Sequence, residues 1–162
     1  MPNIFNRRTI VLGTGSMIAA VASTKRAAAK ERATSYDSIV RDVWAPIDAS
    51  GGVTELVRAA TLAANSHNTQ PWRFEIANRR ITIHADFSRR YPAVDPDDHH
   101  LFASLGCAAE NIVQAAALMG FKAAVSPDPT INGALPILLE PIAAKPAPLI
   151  AVIPERQCTR AA

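Results

Sequence analysis

Seven apolar side chains recur at helical spacing between His99 and Met119: Leu101, Leu105, Ala108, Ile112, Ala115, Ala116 and Met119. That continuous face predicts one long helix over residues 99–119, with Gly120 placed to end it. Asp97 or Asp98 stands where its N-cap is needed. Everything else in the chain is shorter. Ile39, Val40, Val43 and Trp44 predict a helix over 35–44, stopped by Pro46. Val53, Leu56, Val57, Ala60 and Ala64 predict a second over 53–64. Residues 72–76 and 81–84 alternate as two strands joined around Asn78-Arg79-Arg80. Residues 86–98 read as a loop, and 121–125 and 136–140 as short strands. Seven of the 12 prolines fall in the last 36 residues, which argues against a separate compact unit there. The 162 residues are therefore expected to hold one domain of α+β class.

The first 29 residues have a different texture. They carry Arg7, Arg8, Lys25 and Arg26, no acid, an apolar run through Ala22, and Ala27-Ala28-Ala29. A charged start, an apolar stretch and a small-residue cleavage site are the parts of a secretory signal peptide. The run falls short of the ~20 residues that a membrane-spanning helix needs. Arg7-Arg8-Thr9-Ile10-Val11-Leu12, with Gly13, Thr14, Gly15 and Ser16 diluting the apolar stretch, points to the twin-arginine route. The alternative is a plain amphipathic N-terminal helix. On the first reading the twin-arginine translocase exports the folded chain to the periplasm.

This leader also explains the charge. The whole chain has 17 basic and 14 acidic residues and a pI near 9.2. Without the four leader residues, 13 basic side chains face the 14 acidic ones. No nucleic-acid partner is expected. Cys107 and Cys158 are the two cysteines, and in an exported protein they can pair, although their separation in sequence does not fix their distance. Cys107 lies in an apolar helical run, which favours a buried thiol. With no CxxC, HExxH or Cys/His cluster, no metal site is expected.

No Ser/His/Asp order and no carboxylate pair stands out as catalytic. His84 in a strand and His99-His100 at a helix start fit solvated or packed side chains. Asp95, Asp97 and Asp98 fit a cation site or a solvated loop, and Arg89-Arg90 fits an anion site or a surface pair. The densest polar feature is Asn65-Ser66-His67-Asn68-Thr69-Gln70, followed by Pro71-Trp72. Such a corner can offer backbone N–H groups and amides to a flat heteroaromatic ligand. It can equally be a helix-ending turn anchored by Trp72. The physics of the residues leaves both readings standing.

The string Ala63-Ala64-Asn65-Ser66-His67-Asn68-Thr69-Gln70-Pro71-Trp72-Arg73-Phe74 resembles the APSxxNxQPWxF segment of the FMN-dependent nitroreductase superfamily. Ser104 to Ile112, running on to Ala115-Ala116 and Met119-Gly120-Phe121, is similar to that family's long central helix. The same polar string together with Asp86, Arg89 and Asp95-Pro96 resembles its Acg-like branch, whose members often carry two such halves. The resemblance covers residues 50–160 or so. It implies a nitroreductase-like three-layer sandwich with a mixed or antiparallel sheet and a long central helix.

It also implies FMN as cofactor, with Ser66, His67, Asn68 and Gln70 on the flavin side and Trp72 as packing. Arg156-Gln157-Cys158-Thr159-Arg160 resembles a phosphate motif of the family, which assigns Arg156, Thr159 and Arg160 to the flavin phosphate. No side chain need act as a catalytic nucleophile. Sites in this family form between two units, so this chain is expected to be an incomplete unit that needs a homodimer partner or a missing second half, or a truncated product. The expected division is a leader over 1–29, a linker and first helix over 30–50, and a nitroreductase-like half-domain over 51–162. The implied function is an exported oxidoreductase passing electrons from a small-molecule donor through flavin to nitroaromatic or quinone-like acceptors. Flavin holding without turnover and an inactive fragment are the alternatives.

Overall fold

A computed structural model describes residues 3–5, 35–126 and 133–156 of the chain. Its sheet is built around a hairpin. Strand β2 (Trp72–Ala77) and strand β3 (Arg80–Ala85) are antiparallel and joined by Asn78-Arg79. Arg79, the second of these two turn residues, has a left-handed backbone at a φ of 54°, whereas Asn78 does not. The register sets Phe74 opposite Ile83 and Ile76 opposite Ile81, so one face of the hairpin is apolar. Strand β5 (Ala134–Pro141) pairs with β3, strand β4 (Phe121–Val125) with β5, and β1 (Asn3–Phe5) with the outer edge of β2. The order is β1-β2-β3-β5-β4, antiparallel throughout. Strand β1 lies within the stretch read from sequence as a leader.

Among the described residues three helices accompany the sheet: α1 (residues 35–43), α2 (Gly52–Thr61) and α3 (His99–Leu118). Leu56, Val57 and Ala60 of α2 and Leu105, Ala108 and Ile112 of α3 join Phe74, Ile81, Ile83 and Ile137 of the sheet in one buried cluster. The described residues thus form a helix layer and a sheet layer, two of the three layers expected. Helix α1 is tied on by Arg58, which donates to the carbonyls of Val43 at 2.7 Å and Ala45 at 2.9 Å. The Val43 carbonyl is one that the end of a helix leaves without an internal partner.

Helix α2 stops three residues before the expected Ala64. Its last turn tightens, with Leu62 N–H donating to Ala59 O and Ala63 N–H to Ala60 O, and Asn65 then swings to an extended conformation. Helix α3 follows the sequence closely, and Gly120 ends it at a φ of 77°. A Cβ on Gly120 would lie 3.2 Å from the Ile142 carbonyl oxygen.

The N-terminus of α3 corrects the sequence expectation. Asp98 occupies the N-cap position, but its side chain makes no capping bond and instead holds Arg90 at 2.8 and 2.7 Å. Asp97 reaches the His99 N–H only at 3.4 Å. The cap comes from Asp95, whose two oxygens accept from the His100 and Leu101 N–H groups, each at 3.0 Å. Burial pushes the Asp95 carboxyl up, yet these two amides and the His100 ring outweigh it and hold the group below its ordinary value. Asp95 and Asp98 are both buried and both committed to protein partners.

Candidate functional site

Between α2 and β2 the chain turns through residues 65–71. A 3₁₀ turn over Ser66–Asn68 is followed by Thr69, Gln70 and Pro71. Three residues here, none a glycine, have left-handed backbones: His67 at φ 49°, Asn68 at 54° and Gln70 at 52°. Each such residue costs about 1–2 kcal/mol, so the surrounding bonds must over-determine the turn. Asn65 supplies the inner strut. Its Oδ1 accepts the Gln70 N–H at 2.8 Å, and its Nδ2 donates to the Ala63 carbonyl at 3.2 Å. The Ser66 carbonyl accepts both the Thr69 N–H and the Thr69 hydroxyl at 3.0 Å.

The outer struts come from two other elements. The Ser66 N–H donates to the buried Ser104 hydroxyl of α3 at 3.2 Å, and that hydroxyl donates to the His100 carbonyl at 2.6 Å. After β3 the chain makes a second 3₁₀ turn, Phe87–Arg89, inside the segment expected to be a plain loop. Asp86 starts it by accepting the Ser88 N–H and hydroxyl. From this turn Arg89 reaches back to the Thr69 carbonyl at 2.9 Å. Two residues on, the Tyr91 ring stacks on His67, 5.5 Å between centroids and 17° between planes.

These bonds occupy the backbone of the corner and spare its side chains. Among the described residues, the side chains of Ser66, Asn68 and Gln70 have no hydrogen-bond partner. His67 and Asn68 are exposed, and Ser66 and Gln70 half-buried. A rigid backbone thus presents a hydroxyl and two amides, together able to donate and accept in one small area. Beneath them Trp72 is fully buried, as the packing reading expected, and its Nε1 has no partner among the described residues.

The other predicted site residues divide. Arg156 donates to the Leu62 carbonyl from Nε at 3.3 Å and Nη2 at 3.0 Å, so it caps the end of α2 three residues ahead of the corner. It also lines a cleft of about 500 Å³ with Glu110, Asn111 and Gln114 of α3. Thr159 and Arg160 lie outside the described residues, as does Cys158. Cys107 is exposed on α3, contrary to the burial its apolar surroundings favoured. Ser104, Leu105 and Ala108 face the core, and Cys107 falls on the opposite stripe with Gly106 and Glu110.

Ser104, Asp86, Arg89 and Tyr91 organise the corner without having been singled out for that role. Nothing in Arg89-Arg90 as a string shows that one arginine turns to a carbonyl 20 residues back while its neighbour takes Asp98.

No protein-family model matches the chain. Two curated Mycobacterium tuberculosis proteins do: "Putative NAD(P)H nitroreductase MT3217" of strain CDC 1551 / Oshkosh and "Putative NAD(P)H nitroreductase Rv3131" of strain ATCC 25618 / H37Rv. Each is 31% identical over 115 residues, which is 68% of this chain and 33% of the relative. The chain thus spans about a third of the length of the relatives it matches. Its α+β fold, antiparallel sheet and long helix are consistent with a nitroreductase-like fold.

Proposed function

We propose that this chain is a flavin-binding unit of a nitroreductase-type oxidoreductase, with FMN as its cofactor. The observation that carries the reading is the corner at residues 66–70. Its backbone is fixed in a strained course, while among the described residues the polar side chains of Ser66, Asn68 and Gln70 have no partner. Similarity to two proteins named as nitroreductases supports it. Strain held in place by many bonds is found where a site is pre-organised for a ligand.

The residues present fit the ring end of FMN. Its heteroaromatic edge alternates donors and acceptors, which Ser66, Asn68, Gln70 and the exposed His67 match in kind. The phosphate end falls to Arg156, Thr159 and Arg160 in this reading. Arg156 would have to share the guanidinium it now gives to the Leu62 carbonyl. Bound FMN would supply the redox chemistry, taking electrons from a small-molecule donor and passing them to a nitroaromatic or quinone-like acceptor. The chain's own groups hold and orient: donors beside the ring favour negative charge there, and Trp72 ties the corner to the buried core.

A second copy of the chain, or a second half of the same kind, completes the site in this account. The leader over residues 1–29 sends the folded chain through the twin-arginine translocase to the periplasm. The visible spectrum of the purified chain tests the proposal. Flavin bands in near-equimolar amount, bleached by dithionite and restored by a nitroaromatic, are expected. A colourless protein that gains no flavin bands on incubation with FMN would overturn it.

A further inference from the structure

We infer that Asp86 and Arg89 form a positioning pair that holds the corner over residues 67–70, left-handed at His67, Asn68 and Gln70, and so keeps the Asn68 and Gln70 side chains free for a ligand. The ligand part of this inference rests on the flavin reading above, whereas the loop part does not. Bonds within the corner secure its first half, through Asn65 and Ser66. They leave the carbonyls of Thr69 and Gln70, where the chain must turn into β2. Arg89 Nη1 donates to both, at 2.9 and 3.4 Å. The Gln70 carbonyl also accepts the Trp72 N–H at 2.9 Å, across Pro71.

Asp86 fixes the guanidinium from behind, with Oδ2 3.3 Å from Arg89 Nε. Asp86 is in turn anchored to the same corner, since its N–H donates to the Pro71 carbonyl at 2.9 Å. The pair therefore grips the corner on both sides of Gln70 from the open end of the β2–β3 hairpin, the stiffest support nearby. The Asp86 side chain is only 14% exposed and that of Arg89 34%, which sets this ion pair apart from solvated surface pairs that contribute little. A charged fork donating to carbonyls is stronger than a neutral bond, and lysine, a point charge without the fork, is a poor substitute. Tyr91, stacked on His67, carries the same grip to the start of the turn.

The test uses the full chain as wild type, Arg89→Ala, Arg89→Lys and Asp86→Asn. It reads amide hydrogen exchange over residues 66–72 and FMN affinity by quenching of flavin fluorescence. Arg89→Ala is expected to speed exchange in this segment about tenfold, with α3 unchanged, and to weaken FMN binding about tenfold. Arg89→Lys should fall between it and wild type. Asp86→Asn keeps the Ser88 bonds but loses the charge, and should give about a threefold change in both readouts; it also serves if Arg89→Ala does not fold. Unchanged exchange at 66–72 in the variants overturns the pair's role, whatever FMN does. Faster exchange with unaltered FMN affinity overturns its link to the ligand. If wild type binds no FMN, the flavin reading fails and takes the ligand part of the inference with it, while the exchange result still decides whether the pair holds the loop.

Discussion

The N–H of Ser66 donates to the hydroxyl of Ser104 at 3.2 Å, so the polar corner hangs from the long helix α3. Ser104 is buried, and its hydroxyl passes the chain of bonds on to the His100 carbonyl. Ser104→Ala would leave the Ser66 N–H without its partner. A loss of about 1–3 kcal/mol in unfolding free energy is expected. Urea denaturation followed by circular dichroism checks it, and an unchanged midpoint would show the bond to be dispensable.

Acid should loosen the start of α3 through Asp95. Its folded pKa lies below the ordinary 3.8, because bonds from His100 and Leu101 outweigh the effect of burial. The contribution to stability is therefore complete above the unfolded value and is lost as pH falls through the lower folded value. Thermal melts of wild type and Asp95→Asn from pH 7 to pH 3 are expected to show the variant less stable at neutral pH. The gap should hold down to about pH 3.8 and start to narrow below it, as Asp95 begins to protonate in the unfolded chain. A gap that stays constant with pH would contradict the capping role.

Trp72 carries a buried Nε1 without a partner among the described residues. Replacing it with Phe removes that donor and keeps most of the packing volume, whereas Ala leaves a cavity. Trp72→Ala is expected to lose about 3–5 kcal/mol and Trp72→Phe less than half of that. Equal losses in chemical denaturation would mean that the indole nitrogen is satisfied after all.

How far these features were legible depends on how local their causes are. The long helix was plain, because its apolar face repeats every turn and Gly120 ends it. The β2–β3 hairpin was plain for the same reason, from alternation around a short polar turn. The cap of α3 was misplaced by two or three residues. Asp95, Asp97 and Asp98 are equivalent as a string, and only the fold commits Asp98 to Arg90 and leaves Asp95 for the helix amides. The corner was visible as a run of polar residues. What fixes it was not, since Ser104 and Arg89 bond to it across 38 and 20 residues. The exposed Cys107 shows the limit of composition, because an apolar helix still has an outer stripe.

The most direct measurement is an FMN titration of wild type beside Asn68→Ala, read by quenching of flavin fluorescence. Asn68 is exposed and its side chain binds nothing among the described residues, but its backbone is left-handed at φ 54°, where Ala is more strained than Asn. A small fall in melting temperature with the fold intact is therefore expected, and Asn68→Gly, which relieves that strain, should weaken binding equally. Saturable binding by wild type is expected. One lost hydrogen bond should weaken the variant about three- to tenfold. Equal affinity in the two proteins, or no saturable binding by wild type, would contradict the assignment of this corner to flavin.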